Sequence, residues 1–264
     1  MESDRVSLES AGEEDAEALA EICKRAFETD VDVGAPGEPG GPPGYDMAEA
    51  QLRLMNYLDY YKILLNDWIV GGVLVSSSGE QHRVLERIFV DPDLFRKGIG
   101  SRAMELAHAL YPEAKLWTLG TPEWNVRTKA FYKKLGYVQV GWDLADPQWR
   151  GIWYERVVDS SDPYAMMDIG DLKDGMKNVD VEGEILEKSV ARQVRSRRRR
   201  WETLVVANAG LGDETGRIVL VLWNDQVKQV KVGDRIRIEN GYVSSYMGVN
   251  QLNVGRAGRL IILL

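Results

Sequence analysis

Two stretches of this 264-residue sequence carry residue types and spacings that could do chemistry. The first is Val90-Asp91-Pro92-Asp93-Leu94-Phe95-Arg96-Lys97-Gly98-Ile99-Gly100-Ser101. Glycines where a strand turns into a helix let several backbone amides approach one ligand. The helix dipole behind them favours an anion, so the stretch suits a pyrophosphate. Arg96 and Lys97 add cations. A tight strand-to-helix packing turn would use the same glycines. The spacing fits neither the Walker P-loop nor the dinucleotide fingerprint. The second stretch is aromatic and basic: Trp223, Tyr242 and Tyr246 follow six arginines between Arg192 and Arg200. Unstacked bases lie on aromatic rings beside cations that track phosphate, so this combination suits a single-stranded nucleic acid. The other reading of each ring is a place in a hydrophobic core.

Composition narrows the chemistry. Cys23 is the only cysteine and there are two histidines, which excludes internal disulfides and cysteine-based zinc and leaves no metal expected. Met1 to Arg5 has no signal-peptide character, and the longest apolar run, Trp68 to Val75, is too short for a bilayer. A soluble, cytoplasmic protein with no membrane partner is expected. The net charge of −8 divides unevenly. Residues 1–167 carry 17 Lys+Arg against 28 Asp+Glu, whereas residues 168–264 carry 16 against 13. An acidic half joined to a mildly basic half implies two different partners.

The elements that must hold these residues follow from periodicity. Residues 15–27 and 48–57 read as helices, separated by a Gly/Pro stretch over 34–45 that suits neither helix nor strand. Strands are predicted over 61–65, 68–77 and 82–90, then a helix over 98–110, a strand over 115–119 and a helix over 125–135. Strands over 137–142 and 151–158 close this half. The order gives an α+β fold, a mixed and mostly antiparallel sheet with flanking helices. Residues 159–167 read as a linker. Beyond it, five β-rich segments over 179–188, 201–207, 217–223, 235–243 and 249–254 fit an all-β five-stranded barrel, with the apolar end Leu260–Leu264 closing it or forming an interface.

Residues 5–158 resemble the GNAT superfamily of N-acetyltransferases. Gly98 and Gly100 fill the glycine positions of its coenzyme A signature, and Val90-Asp91-Pro92 matches the lead-in. Asn125-Val126-Arg127-Thr128-Lys129-Ala130-Phe131-Tyr132-Lys133-Lys134-Leu135-Gly136-Tyr137 is similar to its second block. Phe95 departs from the Gln or Arg of the family. The resemblance implies a GNAT domain over 1–158 that uses acetyl-CoA as co-substrate and acts on an unknown amine acceptor. It implies coenzyme contacts at Ile88, Phe89, Val90, Arg96, Lys97, Gly98, Ile99, Gly100, Ser101 and Asn125. Tyr132 stands at the position of the general acid and Glu86 at that of a carboxylate base. Each has a plainer alternative: a core aromatic for Tyr132, a structural salt bridge for Glu86, a helix N-cap for Asn125.

Residues 168–264 resemble the single-stranded DNA-binding OB-folds related to replication protein A. The resemblance is carried by Asp171-Leu172-Lys173-Asp174-Gly175-Met176, by Asp213-Glu214-Thr215-Gly216 running into Trp223, and by the stretch from Val232 through Arg256. It implies base stacking on Trp223, Tyr242 and Tyr246. Arg195, Arg197, Arg198, Arg199, Arg200 and Arg256 would contact phosphate. Asn253 stands where close relatives often carry a further aromatic. Single-stranded DNA is the expected partner, with RNA or a protein as alternatives. The other overall reading is a binding protein whose first domain senses acetyl-CoA or dimerises without catalysis.

Overall fold

The computed structural model describes residues 5–143, 150–195, 201 and 203–264. The chain divides into two compact units: Met1–Val138 with Glu155–Ser160, and Gln139–Tyr154 with Ser161–Leu264.

The first unit runs β1 (Val6–Ser10), α1 (Ala16–Glu28), α2 (Ala48–Met55), β2 (Asp59–Leu65), β3 (Trp68–Ser77), β4 (His82–Val90), α3 (Ile99–Ala109), β5 (Leu116–Pro122) and α4 (Val126–Lys134). β1 to β4 form an antiparallel run, and β5 joins β4 in parallel. β3 is central, and its run Val70 to Val75 is buried, as a strand covered on both faces requires. α1 presents Leu19, Ile22, Cys23 and Ala26 to that sheet, where they pack with Tyr60, Leu74 and Phe89. β1 was not expected from the sequence. It is a short edge strand held by its register with β2, from Val6↔Leu65 to Ser10↔Tyr61, and pairing of that kind leaves little local signature.

Two strands follow, β6 (Val138–Asp143) and β7 (Gly151–Val157). The contact division differs from the sequence boundary here. Gln139–Tyr154 falls in the second unit because Gly141, Trp142 and Asp143 pair with Leu263, Ile262 and Ile261.

The second unit holds β8 (Lys177–Lys188), β9 (Arg192–Arg195), β10 (Thr203–Gly212), β11 (Arg217–Trp223), α5 (Asp225–Gln229), β12 (Arg235–Tyr246) and β13 (Val249–Leu263). β8 pairs β10, β10 pairs β11, β11 pairs β13 in parallel, β13 pairs β12, and β12 returns to β8. The barrel is closed, with β9 as a short addition beside β10. Its interior is aliphatic: Val181, Ile185, Leu211, Leu220, Leu222, Ile236, Ile238 and Leu252 are buried. Closure runs through Gln251, Leu252 and Asn253 against β11, whereas Leu260, Ile261 and Ile262 continue the β12–β13 pairing opposite Ile238, Arg237 and Ile236.

Candidate functional site

In the first unit the site gathers where β4 leaves the sheet. Pairing with β5 covers His82 to Leu85, against Leu116 to Leu119. Among the described residues no strand pairs with Ile88, Phe89 and Val90 on that side, while β3 holds them on the other through Val73, Gly72 and Gly71. Their open backbone edge can therefore receive the amides of an extended ligand. Upstream, the register steps from Leu74↔Arg87 to Val75↔Leu85 and leaves Glu86 as the extra residue of a β-bulge. The expected alternation of Glu86 with Ile88 fails for that reason. Bulged out of the pleat, the Glu86 carboxylate accepts a hydrogen bond from Ser76 Oγ at 2.6 Å, while Arg87 reaches the Cys23 thiol and the Phe27 ring on α1.

The turn after β4 is pinned from below. Arg25 of α1 pairs with Asp91 at 2.9 Å and Asp93 at 2.6 Å, and Asp91 caps the Asp93 amide. Above these anchors Arg96, Lys97 and Gly98 are exposed, and the two cations make no ion pair among the described residues. Gly98 adopts φ +83°, a left-handed conformation that glycine takes without strain, and opens α3. The first helical bond runs from the Arg102 amide to the Gly98 carbonyl at 2.9 Å, so the amides of Gly98, Ile99, Gly100 and Ser101 are those a helix leaves without an internal acceptor. A Cβ on Gly100 would meet only the Phe131 ring at 3.5 Å and Val90 at 3.8 Å. The fold itself has room there. These residues fit a pyrophosphate.

α4 sits beside this turn. Asn125 caps it, accepting from the Thr128 amide at 3.1 Å and donating to Asp30 at 3.2 Å. Asp30 also receives Arg127, whose guanidinium lies 4.8 Å over the Phe95 ring. Burial raises the Asp30 carboxyl above its ordinary value, against the opposing pull of Arg127. One helical turn and a half along α4, Tyr132 is buried against Phe131 and Tyr137, with ring centroids at 5.2 and 5.9 Å. Burial first, and then the charge of Asp30, push its phenol well above the usual tyrosine value, so it holds its proton at neutral pH.

In the second unit the β-sheet register decides which side chains share a face, because directly opposed residues project together. One row crosses four strands: Tyr242 of β12, Asn253 of β13, Val221 of β11 and Asn208 of β10. Two residues further along β11 stands Trp223, opposite Val206 of β10, which in turn faces Arg192 of β9. Towards the other end, Tyr246 pairs with Val249. The three rings therefore lie on one outer face of the barrel. They are 37%, 41% and 55% exposed, in the order Trp223, Tyr242, Tyr246, and none belongs to the core.

Comparison with known proteins divides the chain between two family models. Residues 18–137 match the family model of the acetyltransferase (GNAT) family. Residues 172–262 match that of the single-stranded DNA binding protein Ssb-like OB fold. The first is a GNAT domain; the second is an Ssb-like OB fold.

Among curated relatives, the single-stranded DNA binding protein Ssb of Saccharolobus solfataricus is 37% identical over 87 residues, which is 33% of this chain and 57% of that protein. Replication factor A of Methanothermobacter thermautotrophicus is 32% identical over 100 residues, 38% of this chain and 12% of that protein. The chain thus spans about half of one relative and a small part of the other. Among solved structures, the PaiA N-acetyltransferase of Thermoplasma acidophilum, in complex with coenzyme A, aligns over 58% of this chain and 99% of that one, at 14% identity and a TM-score of 0.48.

Within the GNAT domain the structure brings Glu86, Ile88, Phe89, Val90 and the Gly98–Ser101 amides along one strand and the turn that follows it. Asn125 takes the helix N-cap of its two readings, with both ends of its side chain engaged inside the protein. Asp30 and Arg127 were not singled out in the sequence, since nothing local announces that Asp30 closes on the start of a helix some ninety residues away. On the OB face, Arg195 pairs with Thr203 through the backbone, and Arg256 is exposed midway along β13. Arg197, Arg198, Arg199 and Arg200 lie outside the described residues. Lys177, directly opposite Tyr242, was overlooked because the sequence reading started that strand at residue 179. Among the described residues no cluster of His, Cys, Asp or Glu is placed to hold a metal, and no helix is long and apolar enough to cross a membrane.

Proposed function

We propose that this chain is an N-acetyltransferase, transferring an acetyl group from acetyl-CoA to an amine, tethered to an OB domain that binds single-stranded DNA. The observation that carries the first half is the set of four unsatisfied amides at Gly98–Ser101, at the end of a strand whose free edge leads to Glu86. The three exposed rings on one barrel face support the second. Such an arrangement would place acetylation at single-stranded intermediates of replication or repair, in the cytoplasm.

Acetyl-CoA supplies an acyl group activated as a thioester. Residues 1–158 would do the rest. The Gly98–Ser101 amides, with Arg96 and Lys97, bind pyrophosphate, and the Ile88–Val90 backbone aligns the chain behind it. Glu86 takes a proton from the incoming amine, which needs its lone pair to attack. The new carbon–nitrogen bond forms as the carbon–sulfur bond breaks, Tyr132 Oη gives its proton to the departing sulfur, and the second proton that the nitrogen sheds on becoming an amide restores the phenol. Burial keeps the proton on the phenol oxygen in the resting site, so Tyr132 is in the protonated form that a general acid requires. Asn125 serves this scheme chiefly by capping α4.

Turnover is tested by following coenzyme A release over polyamines, amino acids and basic peptides. Tyr132→Phe should lower kcat by about 10²-fold or more while the thermal shift caused by acetyl-CoA stays as in the wild type, because the ring remains and only the proton donor goes. An undiminished kcat with chemistry rate-limiting excludes the general-acid role. A domain that binds acetyl-CoA and releases no coenzyme A with any amine would be the sensor reading, for which Phe95, in place of the family's Gln or Arg, is the supporting feature.

For the barrel, Trp223→Ala should weaken binding of a labelled oligonucleotide by about 1–3 kcal/mol at every salt concentration, leaving the salt slope nearly unchanged. Fluorescence anisotropy across salt measures both quantities. Wild-type affinity in this variant would mean that bases do not stack on the ring.

A further inference from the structure

At the Tyr242 end of the barrel face is a groove of about 380 Å³ whose lining includes Lys177, Asn178, Asn240, Tyr242, Gly255 and Arg256. Two asparagines shape it. Asn178 and Asn240 have left-handed backbones, at φ +52° and +54°, a region Asn enters more readily than other side chains. Each lies in a bulge. The register of β12 with β8 steps from Gly241↔Val179 to Tyr242↔Lys177, skipping Asn178, and from Ile238↔Val181 to Gly241↔Val179, where β12 carries one residue more in the stretch that holds Asn240. The bulges are tied together, Asn178 Nδ2 donating to Asn240 Oδ1 at 3.2 Å, and the Asn240 amide donates to Asp180 Oδ1 at 2.7 Å.

The step in register has a consequence for charge. It places Lys177 directly opposite Tyr242, on the same face, from the β8 side of β12. Arg256 comes from the other side, on β13, one residue after Gly255. The Tyr242 ring passes beside Gly255, 3.6 Å from where a Cβ there would sit, an ordinary contact distance. Neither cation makes an ion pair among the described residues, and both are exposed. An aromatic ring with a free face thus stands between two unpaired positive charges. Lys177 and Arg256 line the same groove, Arg256 from residues 255–258 that the β12–β13 ladder skips, and their long side chains can each reach one of the two phosphates flanking a nucleoside.

We propose that this groove seats one nucleotide of a single strand, its base on Tyr242 and its two flanking phosphates at Lys177 and Arg256. The seat rests on the single-strand reading above. Lys177 becomes a phosphate contact in its own right, and the tied asparagine bulges become the device that aims it.

The test uses the full chain and a labelled oligothymidine, with anisotropy titrations at several salt concentrations. Lys177→Ser and Arg256→Ser should each reduce the steepness of the log–log salt dependence by about 0.7, the value of one single-strand phosphate contact. Lys177→Arg should restore the slope. Tyr242→Leu should weaken binding at every salt and leave the slope alone. Lys177 is exposed, so a melting curve equal to wild type will accompany the variant. A Lys177→Ser slope equal to wild type, in a protein whose binding still falls with Trp223→Ala, overturns the seat alone. No binding by the wild type, or binding indifferent to Trp223→Ala, overturns the single-strand reading and the seat with it.

Discussion

Gly100→Glu will leave the first unit folded and remove its thermal stabilisation by acetyl-CoA. The new Cβ would meet its nearest neighbours, the Phe131 ring and Val90, at ordinary van der Waals distances, and Gly100 is half-buried rather than in the core. The position is in the first turn of α3, where a carboxylate is favoured by the helix dipole by about 0.3–1 kcal/mol, so the unliganded melting temperature should hold or rise slightly. Ligand binding is another matter. The same dipole and the same amides that would welcome pyrophosphate are then covered by a side chain of like charge. Wild type at a hundred times Kd gains about 2.7 kcal/mol by mass action, and the variant should gain none. Gly100→Ala separates bulk from charge: its added methyl tolerates the free fold and should cost part of the shift. Differential scanning fluorimetry with and without acetyl-CoA reads the result, and an undiminished shift in Gly100→Glu would place the coenzyme elsewhere. Gly98 is a poorer choice for this test, because its φ of +83° strains any other residue before ligand is added.

Trp153→Ala should destabilise the second unit by about 3–5 kcal/mol, from loss of a buried ring and the cavity left behind. Trp153 lies in β7 and is 2% exposed. Its indole Nε1 donates to Glu239 Oε1 at 3.0 Å, inside the second unit. Glu239 is buried and faces Arg237, itself bound to Glu182 at 2.7 Å. Removing the indole therefore also takes a donor from a buried carboxylate, which adds about 1–3 kcal/mol to the cost. Trp153→Phe keeps most of the apolar volume and loses the donor, and so should fall between. Denaturant unfolding of the full chain, followed through single-strand binding, measures the series. Equal stability in Trp153→Ala would show that Gln139–Tyr154 is peripheral to the barrel. The same reasoning predicts that residues 168–264 alone are less stable than the unit in the full chain, since excision uncovers the β13 edge at Ile261–Leu263 and leaves Glu239 without Trp153.

The sequence by itself determined the two folds and the position of both candidate sites. Glycines before an amphipathic helix, and a Thr-Gly turn feeding an apolar strand that ends in Trp223, are local patterns, and local patterns survive in one dimension. The periodicity of α1, β3 and β4 belongs to the same class, because burial on one face or both is written in consecutive residues. What only the tertiary structure decided depends on partners distant in the chain. β1 exists because β2 offers it an edge. Glu86 leaves the alternation because a bulge against Leu74 inserts a residue, and nothing in the strand's own composition marks that step. Asp30 joins Asn125 and Arg127 across two helices and four strands of intervening sequence, and Arg127 covers Phe95, where the sequence departs from the coenzyme A signature. In the barrel, composition named the three rings, but only the register put them on one face, and only the two asparagine bulges set Lys177 opposite Tyr242. A bulge shifts every later side chain by one place, and with a period of two that single step decides which face a charge is on.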